Sequence, residues 1–148
     1  MPSTPTKPFP QPDSASTPFF QALRDRRLLV QRCVHCGLYA LGSYRCRTCR
    51  HAVEWQPASG RGVVYTHTRV HLAYHPAFES HVPYDVVLVA LAEGPHLIAG
   101  FRDERRRGPH PGMPLVVAFE SANDTWLPYF VPEEPAHRSG VANNLETP

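Results

Sequence analysis

Apolar and polar positions change their period near residue 60, and the change separates two kinds of structure. Between Pro18 and Gln31 the apolar residues Phe19, Phe20, Leu23, Leu28 and Leu29 recur at near-helical spacing. Arg24, Arg26 and Arg27 fill other positions, so the pattern predicts one short amphipathic helix. From Gly60 onward the apolar residues come in short β-branched and aromatic runs, at Gly62 to His71, Tyr84 to Leu91, His96 to Arg102, Leu115 to Glu120 and Thr125 to Phe130. Turn signals at Glu93-Gly94-Pro95, Gly108 to Gly112 and Asn123-Asp124 separate the later runs. Five short strands without a helix long enough for a βαβ crossover predict a small antiparallel barrel of the OB type, in a mainly β fold. The flanks have little to bury. Residues 1–17, rich in Pro, Ser and Thr, are expected to be a disordered leader, and 132–148 a disordered tail. The ordered part then divides into a helix plus ribbon over 18–56 and the barrel over 57–131.

The ribbon is read from its cysteines. Cys33, Cys36, Cys46 and Cys49 are the only four in the chain, in two C-x-x-C pairs with nine residues between them. Each pair can wrap a tight knuckle around half of a tetrahedron. Four thiolates suit zinc, at Zn–S near ~2.3 Å, with no coordination position left open for catalysis. Gly37 follows the second cysteine, where positive φ lets backbone amides point at sulfur; the second knuckle carries Arg50 at the equivalent place. A four-thiolate zinc site is net negative, so Arg32, Arg45, Arg47 and Arg50 have a simple use as compensating charge. The site also consumes every thiol, which leaves no cysteine to carry an acyl group.

Composition narrows the setting. The formal net charge is only +2, far from that of a dedicated duplex-DNA binder. No apolar run approaches the roughly 20 residues that cross a bilayer, and the first residues lack the apolar core of a secretory signal. The expectation is a cytoplasmic protein, where paired C-x-x-C knuckles hold metal rather than form disulfides. Lys7 is the sole lysine, so 14 of the 15 basic residues are arginine, the side chain that grips phosphate bidentately.

Self-contained catalysis finds no support in the motifs. None of Ser43, Ser59, Ser80 or Ser121 sits in a nucleophile elbow, and no phosphate loop or dinucleotide fingerprint is present. Gly60-Arg61-Gly62 reads as a turn entering a strand, since no helix follows to supply further amides to a phosphate. His67, His71, His75 and His81 gather along one strand and the long loop after it. On a strand, His67 and His71 stand too far apart to chelate one ion, so contact with a partner or ligand is the better use for this segment.

Taken in order, the motifs resemble a known family. FFQAL, RLLVQRCVHCG, CRTC, the ribbon exit EW, SGRGVVYTHTRV, VPYDVVLVALAEGP, PGMPLVVAFE and LPYFVP are similar to the bacterial and archaeal family called domain of unknown function thirty-five, over nearly everything from Phe19 to Pro132. The resemblance implies a rubredoxin-like zinc ribbon joined to an OB-fold. It implies an acyl-CoA-associated accessory subunit beside a thiolase-like or hydratase enzyme, with the nucleophile and bases on the partner. Coenzyme A thioester is then a shared ligand. Only Cys33, Cys36, Cys46 and Cys49 carry over by position. The candidates for the coenzyme A phosphates are Arg61, Arg102, Arg105 and Arg106, with Arg69 and Arg107 beside them, and no motif fixes the choice.

Two other classes stay open on the residues alone. An OB barrel binds single-stranded nucleic acid by stacking bases on aromatic rings, for which Tyr65, Tyr74, Phe78, Tyr84, Phe101 and Trp126 are candidates. Four thiolates also hold iron, as in rubredoxin, for electron transfer.

Overall fold

The computed structural model describes residues 6–122 and 125–134. Its single α-helix, α1 (Thr17–Arg24), leads into a three-stranded antiparallel sheet made by β1 (Leu29–Cys33), β2 (Tyr39–Ala40) and β3 (Val53–Pro57), in the order β2-β1-β3. The helix is shorter than its sequence pattern predicts. It ends at Arg24, and Arg26 takes a left-handed φ of 55° in the turn that follows, so Arg26 and Arg27 are not helical. Leu29 pairs instead with Pro57, Val30 with Gln56 and Cys33 with Val53. Strand pairing buries Val30 completely and carries Cys33 to the four-cysteine ribbon, a gain the local helical spacing of Leu28 and Leu29 cannot match.

The second unit is a closed barrel of β4 (Arg61–Val70), β5 (Tyr84–Leu91), β6 (His96–Phe101), β7 (Pro114–Ala122) and β8 (Thr125–Pro132), in the order β4-β5-β6-β8-β7 with β4 and β7 closing it. All pairs are antiparallel except β6 with β8, where Gly100 faces Tyr129 and Phe101 faces Phe130 in parallel. The expected antiparallel barrel is therefore closed by one parallel step. This happens because β8 returns from its hairpin with β7 and lies along β6 in the same sense. Strand β4 serves two neighbours: Arg61–Val63 pair with β7, and Gly62–Val70 run along β5. A bulge between Val64 and Thr66 bends β4 around the barrel and turns Tyr65 out to solvent.

Inward positions of all five strands, among them Val64, Val87, Val89, Phe101, Leu115 and Phe130, form the core, and Leu23 of α1 and Val30 of β1 join it. Each such side chain stabilises the fold by about 1.5–3 kcal/mol. Helix α1 packs on β8, with the Arg26 guanidinium 5.4 Å from the centre of the Trp126 ring. The turn reading of Gly60-Arg61-Gly62 is explained by close packing. A Cβ at Gly62 would lie 2.5 Å from the carbonyl oxygen of Ala90, and one at Gly60 would lie 2.6 Å from Val117 Cγ1.

Among the residues expected to form the leader, 6–13 are extended or irregular, 14–16 form a turn and Thr17 opens the helix. Residues 1–5, the Asn123-Asp124 turn and 135–148, most of the expected tail, lie outside the described residues. Pro132 ends β8. Among the described residues no helix is long and apolar enough to cross a membrane.

Candidate functional site

The two knuckles are built alike. In the first, the Gly37 N–H donates to the Cys33 carbonyl and the Cys33 N–H to the Leu38 carbonyl. In the second, the Arg50 N–H donates to the Cys46 carbonyl and the Cys46 N–H to the His51 carbonyl. Gly37 has φ 73° and Arg50 has φ 64°, so arginine adopts at the second knuckle the same left-handed turn that glycine adopts at the first. Strand β1 delivers Cys33, and the register of β1 against β3 brings the second knuckle back beside the first.

The four sulfurs converge on one point. Cys33 and Cys49 Sγ are 3.4 Å apart, Cys36 and Cys46 3.5 Å, and Cys36 and Cys49 3.6 Å, and all lie within 4.8 Å of one another. The edge of a sulfur tetrahedron around zinc is about 3.8 Å, so the arrangement fits one tetrahedral ion. Iron accepts the same donors. Cys33 and Cys46 are buried, Cys49 is half-buried and Cys36 is exposed.

Electrostatics favour a cation there. The N–H groups of Cys49 and Thr48 bring the Cys46 thiol down to about 6 despite its burial. At Cys33, burial raises the pKa, but the N–H groups of Cys36 and His35 hold it below the ordinary value. At Cys36 the Leu38 N–H lowers the pKa, yet the Cys46 thiol, burial and the remaining thiols push it up to about 12. Neighbouring sulfurs cannot all ionise together without a positive charge between them. A divalent ion resolves that conflict and releases protons as it binds. Bound there, zinc would supply a structural clamp. His35 and His51 flank the cluster as a stacked pair, with ring centres 4.1 Å apart at 15°, and thereby tie one knuckle to the other.

The candidate phosphate contacts fall outside this ribbon. Arg61 begins β4 and pairs with Glu133 at 3.0 Å; Arg102 follows β6, pairs with Glu120 and lies 4.2 Å from the centre of the Tyr129 ring. Arg105 pairs with Glu134 at 3.2 Å, and Arg107 joins the same carboxylate at 3.0 Å while also holding Asp103. Arg61, Arg105 and Arg107 are thus gathered at the exit of β8, each on a carboxylate. Arg106, with φ 53°, has no ion pair among the described residues; it lines a separate cleft with Arg69, Asp85 and Asp103. The Arg69 guanidinium meets Asp85 through two 2.8 Å hydrogen bonds and holds the carboxyl below its usual range.

Among the described residues His67, His71, His75 and His81 form no metal-holding group. His75 Nδ1 accepts the Ala77 N–H to open a single 3-10 turn (Pro76–Phe78), and Phe78 lies between His75, His81 and Tyr84. Among the described residues the four cysteines form the one cluster with metal-holding geometry. The proposed stacking platform is also divided, because Phe101 is buried in the barrel core while Trp126 is covered by Arg26.

Two features escaped the sequence pattern. Gln31 is buried, and its side-chain amide exchanges two 2.8 Å hydrogen bonds with the backbone of Ser43; its place directly after the apolar run Leu28-Leu29-Val30 was a signal for it. A cleft of about 250 Å3 opens between α1, the ribbon and Leu97 of the barrel. Its walls come from five separate segments, so no local motif announces it.

A four-cysteine ribbon joined to an OB-fold barrel is the class of protein that this fold and this site define. The model of the ChsH2 C-terminal OB-fold domain matches residues 55–120. A DUF35 domain-containing scaffold protein of Methanocaldococcus jannaschii is 31% identical over 101 residues, which cover 66% of this chain and 71% of that protein. The chain belongs to the DUF35 family. It is also 35% identical over 126 residues to a probable enoyl-CoA hydratase alpha subunit of Thermomonospora curvata, covering 82% of this chain but spanning only 38% of that protein's length. The solved structure titled Ltp2-ChsH2(DUF35) aldolase contains a similar chain, with a TM-score of 0.75 and 32% identity over 84% of this chain and 98% of that one. A DUF35 protein of unknown function from Sulfolobus solfataricus shares the fold at a TM-score of 0.58 and 14% identity.

Proposed function

We propose that this protein is a non-catalytic, acyl-CoA-binding accessory subunit that docks on a thiolase-like, acyltransferase or related acyl-CoA enzyme and helps to form its coenzyme A and substrate site. The observation that carries the reading is the 32% identity, over 84% of this chain and 98% of the other, to a chain of the structure called Ltp2-ChsH2(DUF35) aldolase. The convergence of all four thiols on one metal-sized site supports it, because a thiolate committed to a structural ion is not free as an acyl nucleophile. The ion is zinc on this reading. The coenzyme A phosphates meet Arg61, Arg102, Arg105 or Arg106, which requires the ligand to displace Glu133, Glu120 or Glu134 from the first three. Exposed ion pairs of this kind contribute only about 0–1 kcal/mol, so a phosphate competes readily for them.

The test is a tagged purification from the native cell followed by mass spectrometry of intact complexes, with and without coenzyme A. An acyl-CoA enzyme held in fixed ratio, whose acyl-transfer or carbon–carbon bond activity drops when this subunit is removed, is the expected result. Full activity of the isolated enzyme, or recovery of this chain with nucleic acid alone, overturns the proposal.

A further inference from the structure

The cleft beside Leu97 has the features of a preformed binding site. Phe19 and Phe20 of α1, Leu41, Trp55 and Leu97 give it mainly apolar walls, contributed by helix, ribbon and barrel together. The walls are held by hydrogen bonds among the polar residues that line them. Gln31 clamps the backbone of Ser43 through both ends of its amide, fixing the ribbon loop that carries Leu41. Asp13 and Ser16 clamp one another, with the Ser16 N–H donating to Asp13 Oδ1 at 2.8 Å and the Asp13 N–H to Ser16 Oγ at 3.0 Å. At about 250 Å3 the space exceeds the ~150 Å3 cavity that accepts a benzene ring.

Charge selects the occupant. Asp13 is the one charged residue among those lining the cleft, and its hydrogen bonds from Ser16 keep it ionised. A negative group at the mouth repels the carboxylate of a free fatty acid and the phosphates of a nucleotide, and no cation is present to hold either. The small polar content of the walls leaves hydrocarbon as the group that gains by entering.

We propose that this cleft binds an uncharged alkyl or aryl group somewhat larger than a benzene ring. Resting on the acyl-CoA reading above, we identify that group as the acyl tail of the thioester. Its anionic coenzyme A portion then lies away from Asp13, outside the cleft.

Trp55 reports on the cleft directly. The chain has two tryptophans, so Trp126→Phe leaves Trp55 as the single indole of the full-length protein. Titration with octan-1-ol is expected to change Trp55 emission saturably. Ala15→Phe, which plugs the half-buried mouth, should weaken that binding about tenfold, a change of the size that one or two methylenes make in an apolar pocket, and Ala15→Leu less so. Octanoate should bind more weakly than octan-1-ol and recover in Asp13→Asn, which retains an oxygen to accept from Ser16. Absence of a saturable change, or indifference to both Ala15 variants, overturns the site. Octanoyl-CoA should shift Trp55 emission as octan-1-ol does, while coenzyme A alone should not. If octan-1-ol binds and octanoyl-CoA leaves Trp55 unchanged, the acyl-tail assignment is overturned; the fate of the accessory-subunit reading is decided separately, by the purification described above.

Discussion

Removing the metal is expected to unfold the ribbon and leave the barrel standing. Between residues 34 and 52 only Ala40 and Cys46 are buried. Two small side chains contribute no more than about 3 kcal/mol of apolar burial, whereas structural zinc ligation supplies about 10–16 kcal/mol in comparable small sites. A metal bound there would therefore dominate the stability of this segment. The barrel core is independent of it, since Val64, Val87, Val89, Phe101, Leu115 and Phe130 pack on one another. Hydrogen exchange read by mass spectrometry, before and after chelation, separates the two units. The N–H groups of Gly37, Cys46 and Arg50, which close the knuckles, should lose protection by about a thousandfold or more, because roughly 4 kcal/mol of lost ligation already gives that ratio. The amides of Val87 and Val89 should stay slow. Unchanged protection over 34–52, or simultaneous loss across β5, would refute the reasoning.

Three further outcomes are expected. The purified protein should carry one zinc ion per chain by elemental analysis and be colourless; a visible absorption that bleaches on reduction would assign iron and electron transfer instead. Gly62→Ala should destabilise the barrel by about 1–3 kcal/mol in denaturant unfolding, because the new Cβ meets the Ala90 carbonyl oxygen at 2.5 Å and Val89 Cγ1 at 2.7 Å. Asp103, held at about 2 first by the Arg107 guanidinium and then by the N–H groups of Arg107 and Arg105, lies below its ordinary 3.8. Its contribution is complete above that ordinary value and is lost as pH falls through about 2, so Asp103→Asn should flatten the acid end of the stability profile.

Much of this architecture was legible in the residues, and the exceptions have physical causes. The run Tyr84 to Leu91 became β5 with its stated ends, because a Val- and Leu-rich run bounded by Pro83 and a Glu-Gly turn has no competing period. The cysteine spacing gave the ribbon. The helix was overextended because Leu28 and Leu29 fit a helical face locally, and only pairing with residues 56 and 57, far along the chain, decides for strand. The parallel contact of β6 with β8 depends on how the barrel closes, which no single segment encodes. Arginines could be counted but not freed. That Arg61, Arg102 and Arg105 each face a carboxylate is a property of the folded surface, where Glu120, Glu133 and Glu134 come from distant positions.

The unequal knuckles bear on how quickly the ion exchanges. At equilibrium four sulfurs share it, but Arg50 holds a left-handed turn that glycine holds at Gly37, at a cost of about 1–2 kcal/mol for a residue with a Cβ. Opening the second knuckle relieves that strain, whereas opening the first, which carries the exposed Cys36, relieves none. Dissociation then has a preferred first step, and one backbone torsion sets much of its speed. Replacing Arg50 with glycine would lengthen the residence time of the ion without touching a single ligand.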